Sequence, residues 1–123
     1  MHTISPERID AYYDKLEKLV AKKGLYFNKD QEMVRDLLGN LLVNMDRYGY
    51  ASCPCRLASG VYDLDKDILC PCVYAKPDIQ EYGSCYCGLY VSQDWNEGRI
   101  THCVVPERRP QEKIEAAVQA LMD

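Results

Sequence analysis

The chain has 123 residues, a formal net charge of −4 and seven cysteines. That length suits one domain over residues 1–123, small enough for a metal centre to supply an appreciable share of its folding energy. No block of five like charges suggests nucleic-acid binding, and no apolar run is long enough to span a bilayer. Neither a signal peptide nor a membrane anchor is visible, so the chain is expected to be cytoplasmic.

Ser5, Pro6 and Glu7 supply an N-cap, a first-turn proline and an acidic first turn. A helix is predicted from there, about Pro6 to Lys23. Ile9, Tyr12, Tyr13, Leu16, Leu19 and Val20 form its apolar face, and Gly24 sits where a left-handed cap is expected. Lys15, Lys18, Lys22 and Lys23 gather on this helix, either as a solvated face or as a basic patch for an acidic partner. Asn28 with Gln31 resembles a capping box for a second helix ending at Gly49. Its broad stripe of Met33, Val34, Leu37, Leu38, Leu41, Leu42 and Met45 predicts the more buried of the two.

From Ala51 to Gly88 prolines, glycines and cysteines break the periodicity, and this half is expected to bind the metal. Asp63, Asp65 and Asp67 alternate as in a calcium loop, but the glycine and glutamate of such a loop are missing. They are expected to form a polar, exposed turn. Leu89-Tyr90-Val91 and the run from Arg99 to Val105 read as short strands. Pro106 and Pro110 then punctuate the chain, and Ile114, Val118 and Leu121 predict a helix from Gln111 to Met122. Arg99, Arg108, Arg109 and Lys113 make a second basic group on a surface expected to be solvated. Glu107-Arg108-Arg109-Pro110 is read either as a partner contact or as the cap of the last helix. Trp95 and the ten tyrosines are assigned to packing, His2 to the surface, and Cys103 to a buried, inert thiol.

Six cysteines fall in three C-x-C pairs: Cys53-Pro54-Cys55, Cys70-Pro71-Cys72 and Cys85-Tyr86-Cys87. In a reducing compartment such crowding favours a metal centre or catalysis over a structural disulfide framework, and a bridge within C-x-C would be strained. One tetrahedral metal or one cubane cluster takes four thiolates, so two are left over, enough for a redox-active dithiol.

The order Gly24-Leu25-Tyr26-Phe27, a helix, Tyr48-Gly49-Tyr50, then Cys53-Pro54-Cys55-Arg56, Cys70-Pro71-Cys72-Val73 and Cys85-Tyr86-Cys87 closely resembles the catalytic chain of ferredoxin-thioredoxin reductase. The resemblance covers most of the chain. It implies a small, mainly helical domain with short β elements, wrapped around a [4Fe-4S] cluster. It also implies that electrons from ferredoxin are used to cleave the disulfide of a thioredoxin-like or other protein. Carried over position by position, it makes Cys53, Cys70, Cys72 and Cys85 the cluster ligands and Cys55 and Cys87 the active-site disulfide. Cys55 then attacks the substrate disulfide to give a mixed disulfide, and Cys87 releases the reduced substrate.

Two departures from the family pattern stand out. Tyr86 replaces a histidine assigned to proton handling, and a phenol with an ordinary pKa near 10 shuttles protons poorly at neutral pH. His102 is the candidate substitute. The loops between pairs, 56–69 and 73–84, also differ in length from the plant-type pattern, which bears on how substrate docks. Plant-type enzymes add a small variable subunit. This chain resembles instead the single-chain ferredoxin:disulfide reductases of anaerobes, with the helix after Pro110 available either to take the place of that subunit or for a homodimer contact. Arg56, next to the first pair, is a candidate for lowering the pKa of Cys55. Two other classes remain open: a structural zinc-binding module, although zinc sites prefer C-x-x-C knuckles, and a simple iron-sulfur electron carrier.

Overall fold

Ser5 begins the architecture as its side chain implies, with its hydroxyl accepting the Arg8 N–H at 3.2 Å. The computed structural model describes residues 3–123, and His2 lies outside them. Helix α1 runs Pro6–Lys22 and is stopped at Gly24, whose φ of +73° is the left-handed conformation that glycine adopts without strain. Strand β1, Tyr26–Phe27, leads into α2, Gln31–Tyr48. The N-cap of α2 is Asp30, which accepts the Met33 N–H at 3.1 Å, and not the predicted Asn28. Asn28 is held elsewhere: its Oδ1 accepts the Asp30 N–H, and its Nδ2 donates to the Gly88 carbonyl at 2.9 Å.

Beyond Gly49 come α3 (Tyr62–Asp65), a 3-10 turn (Lys66–Ile68), α4 (Ala75–Tyr82), β2 (Tyr90–Val91), α5 (Gln93–Asn96) and α6 (Gln111–Met122). β1 and β2 form a two-stranded antiparallel ribbon with Tyr26 opposite Val91 and Phe27 opposite Tyr90. The protein is thus mainly helical with a minimal sheet, in keeping with the fold class that was expected. The run from Arg99 to Val105, expected as a strand, forms none: the ladder of the described residues pairs β1 with β2, and this run lies outside it. No helix among the described residues is long and apolar enough to cross a membrane.

The main core joins Leu16 and Val20 of α1 to Val34, Leu38 and Leu41 of α2, with Leu25, Phe27, Leu89 and Tyr90 of the ribbon. α2 buries more of its apolar stripe than α1 does, as its width predicted. A second cluster gathers Cys53, Ala58, Ile68 and Tyr74. Cys72 and Cys87 pack against both clusters, so the cysteine-rich half is built across the seam between them.

Two acidic residues expected in an exposed turn are buried. Asp65 is 0% exposed and accepts hydrogen bonds from Tyr50 Oη, Ser59 Oγ and the N–H groups of Ser59 and Gly60. Asp67, 9% exposed, binds Tyr74 Oη at 2.6 Å and Arg109 Nε at 2.9 Å. A buried carboxylate persists only when several donors replace water, and both residues have them. The segment Glu107-Arg108-Arg109-Pro110 supplies the N-cap of α6 at Pro110, as one reading expected, but its arginines are not a solvated patch: Arg108 reaches Asp78 and Glu81, and Arg109 reaches Asp67. It straps the start of α6 to α4 and to the turn after α3. Cys103, expected to be buried, is exposed.

Candidate metal and thiol site

Each cysteine pair is positioned by backbone hydrogen bonds that its local sequence favours. The Arg56 N–H bonds the Cys53 carbonyl at 3.3 Å, closing a β-turn with Pro54 at its second position, where a fixed φ is preferred. The Gly88 N–H likewise bonds the Cys85 carbonyl at 2.9 Å, so the third pair also rides on a turn. Gly88, at φ +78°, ends that turn in a conformation open to glycine. Between Cys70 and Cys72 the Cys70-Pro71 peptide is cis, and α4 begins three residues after Cys72. Two backbone hydrogen bonds, Cys53 N–H to Ile68 O at 2.7 Å and Cys70 N–H to Ala51 O at 2.9 Å, lay the first pair beside the second. The third pair is tied to β2 by the Cys85 N–H to Tyr90 O bond, also 2.9 Å.

Cys53, Cys70, Cys72, Cys85 and Cys87 line one small, partly open gap, with Leu37, Ala75 and Leu89 as its apolar walls. Cys55 differs from the other five paired cysteines in being exposed, and with Cys87 and Tyr86 it lines an open groove that also includes Met33, Trp95 and Val104. All seven thiols are free. Cys87 Sγ lies 2.8 Å from Cys53 Sγ, and both exchange hydrogen bonds with Cys55. Cys53, Cys55 and Cys87 thus form one contiguous group of sulfurs.

The thiols differ electrostatically. Hydrogen bonds from Cys53 and Cys87 push the Cys55 thiol well below the ordinary range against the effect of its partial burial, and the Arg56 charge adds a smaller pull in the same direction. Cys87 is pushed up by those same contacts and by burial. Burial pushes the Cys70 thiol up and that of Cys85 up to about 11, and it raises Cys72 against the opposing charge of Arg56. Cys55 is also the one exposed sulfur among the six paired cysteines, and so the one open to an incoming disulfide.

Arg56 is engaged differently from what its position next to Cys55 suggests. Its side chain is 1% exposed, forms an ion pair with Glu107 at 2.8 Å and directs Nη1 to Cys72 Sγ at 3.3 Å. The guanidinium lies over the rings of Tyr74 and Tyr86, 5.1 and 4.4 Å from their centroids. Tyr86, at the family's histidine position, thus faces a cation. His102 stacks on Trp95 with centroids 3.7 Å apart and bonds the Trp95 carbonyl at 2.8 Å, so its observed partners lie on α5. Glu107 was read from the sequence as a partner contact or cap, and Tyr74 and Tyr90, whose hydroxyl is 3.4 Å from Cys70 Sγ, as packing; none was expected at the cysteine site. Nothing in their local pattern marks them.

The donor set fits an iron-sulfur cluster. Inner cysteines around a largely apolar gap offer thiolates, and several of those sulfurs already meet hydrogen-bonding groups. Among the described residues no three His, Cys, Asp or Glu side chains are gathered as a single metal ion would need. A family model described as the ferredoxin thioredoxin reductase catalytic beta chain matches residues 3–116. No curated protein matches the chain.

Proposed function

The chain belongs to the ferredoxin thioredoxin reductase catalytic beta chain family, and on that premise we propose that it is a ferredoxin-dependent disulfide reductase acting as a single domain in the cytoplasm. Membership makes it an oxidoreductase chain of a family that carries an iron-sulfur cluster. Cys53, Cys70, Cys72 and Cys85 would hold a [4Fe-4S] cluster, and Cys55 and Cys87 would be the reactive dithiol. When bound, the cluster supplies single electrons drawn from ferredoxin next to a disulfide that needs two.

The remaining chemistry belongs to the chain's own thiols. Cys55 Sγ, as thiolate, attacks one sulfur of the substrate disulfide; a Cys55–substrate bond forms, the substrate's S–S bond breaks, and the departing sulfur takes up a proton. Cys87, having lost its proton, then attacks Cys55 Sγ. The Cys55–Cys87 bond forms, the mixed disulfide breaks, and the second substrate thiol leaves protonated. The substrate has gained the two electrons that the dithiol has lost, and two electrons from ferredoxin restore it. Thioredoxin-like proteins are the proposed substrates.

The observation that carries this reading is the separation of Cys55 from the other five paired thiols: Cys53, Cys70, Cys72, Cys85 and Cys87 line the gap, Cys85 and Cys87 reach the groove as well, and Cys55 alone is exposed and lines only the groove. A zinc module has no use for that division, and neither does a simple electron carrier. The test compares Cys55→Ser with Cys53→Ser, Cys70→Ser, Cys72→Ser and Cys85→Ser. Cys55→Ser should keep its iron and sulfide yet lose turnover, while the other four lose or weaken the cluster. Equal cluster loss in all five would refute the assignment.

A further inference from the structure

Three of the four thiols assigned to the cluster have a hydrogen-bond donor at their sulfur. Tyr90 Oη is 3.4 Å from Cys70 Sγ, the Tyr90 N–H donates to Cys85 Sγ at 3.4 Å, and Arg56 Nη1 donates to Cys72 Sγ at 3.3 Å. Of these donors Arg56 alone is a cation, and it is almost fully buried. Its position is overdetermined. Nε reaches both oxygens of Glu107 at 3.0 and 3.2 Å, Nη2 reaches Oε1 at 2.8 Å, and the guanidinium also lies over the rings of Tyr74 and Tyr86. Glu107 is itself fixed, accepting the Arg109 N–H at 2.8 Å.

Adding an electron to a group ligated through Cys72 adds negative charge a few ångströms from this guanidinium. In a dry site that charge is weakly screened, so a fixed cation favours the reduced form and a fixed anion opposes it. Arg56 and Glu107 therefore act on the same ligand with opposite signs, and the net field is the difference between them. A salt bridge that served only to hold the fold would behave otherwise: removing either partner would loosen the same contact with the same consequence.

We propose that Arg56 is a positioning residue that sets the reduction potential of the cluster held through Cys72, with Glu107 as its counter-charge. The inference rests on the reductase reading, since it needs the cluster. It also gives the C-terminal segment a redox role, because Glu107 is delivered to the site by the strap that Arg108 and Arg109 anchor.

The experiment is a potentiometric titration of cluster absorbance in wild type, Arg56→Gln and Glu107→Gln, purified anaerobically and matched for iron and sulfide content. Arg56→Gln should shift the potential downward and Glu107→Gln upward. If Arg56→Gln fails to fold, Glu107→Gln decides alone: no upward shift overturns the proposal. Loaded variants that shift together or not at all overturn this inference and leave the reductase reading standing. A wild-type protein without iron and sulfide overturns both.

Discussion

Replacing Arg109 by alanine should be among the most destabilising changes available outside the cysteines. Arg109 is 4% exposed and makes four hydrogen bonds, two to Asp67 and one each to the carbonyls of Leu57 and Leu64. Its loss leaves Asp67 with Tyr74 as its remaining side-chain donor and strands two carbonyls. Breaking a buried pair from one side costs about 3–5 kcal/mol, against a total stability of ~5–15 kcal/mol for a small domain. For a chain of this size that corresponds to a fall in Tm of roughly 10–25 °C. The control is Arg99→Ala, whose guanidinium is 56% exposed beside Asp94 and Glu97 and whose loss should leave Tm nearly unchanged. Adding Asp67→Asn to Arg109→Ala should recover part of the loss, since no uncompensated carboxylate then remains. Thermal unfolding of all four proteins with equal iron content tests this. An Arg109→Ala protein as stable as Arg99→Ala would refute the view that the strap is held by buried charge.

Two further outcomes are expected. A brief alkylation of the reduced, cluster-loaded protein, mapped by mass spectrometry, should modify Cys55 and Cys103, the two exposed thiols, and spare Cys53, Cys70, Cys72 and Cys85; labelling of the inner four at the same rate would contradict the division of thiols. Stability should also fall in acid. Burial works to raise the Asp67 pKa, but hydrogen bonds from Tyr74 and then Arg109 outweigh it and hold the group below its ordinary 3.8. A depressed folded-state pKa contributes stability that is fully present above the unfolded value and is lost as pH falls through the folded one. Between about pH 5 and pH 3 the wild type should therefore lose stability more steeply than Asp67→Asn, and parallel curves would show that Asp67 contributes no such term.

What could be read from the sequence was whatever is encoded locally. Ser5-Pro6 and Pro110-Gln111 mark the starts of α1 and α6 because capping depends on adjacent residues. The start of α2 was misassigned because Asn28 and Asp30 are both capable caps, and the choice is made by Gly88, sixty residues away. Asp65 and Asp67 looked exposed for a related reason: the Arg109 partner of Asp67 comes from 42 residues downstream. The three cysteine pairs were legible through their spacing, whereas the Arg56–Glu107 contact spans 51 residues and leaves no periodic trace. Cys103 followed the general tendency of free cysteine to be buried and proved to be an exception to it.

The central claim is a cluster beside a reducible disulfide. Anaerobic purification, iron and sulfide analysis, and thiol counting before and after reduction of the same sample test it without knowledge of the substrate. The account predicts about four irons and four sulfides per chain, with two additional thiols appearing on reduction. Zinc without sulfide, or a cluster with no bond to reduce, would contradict it.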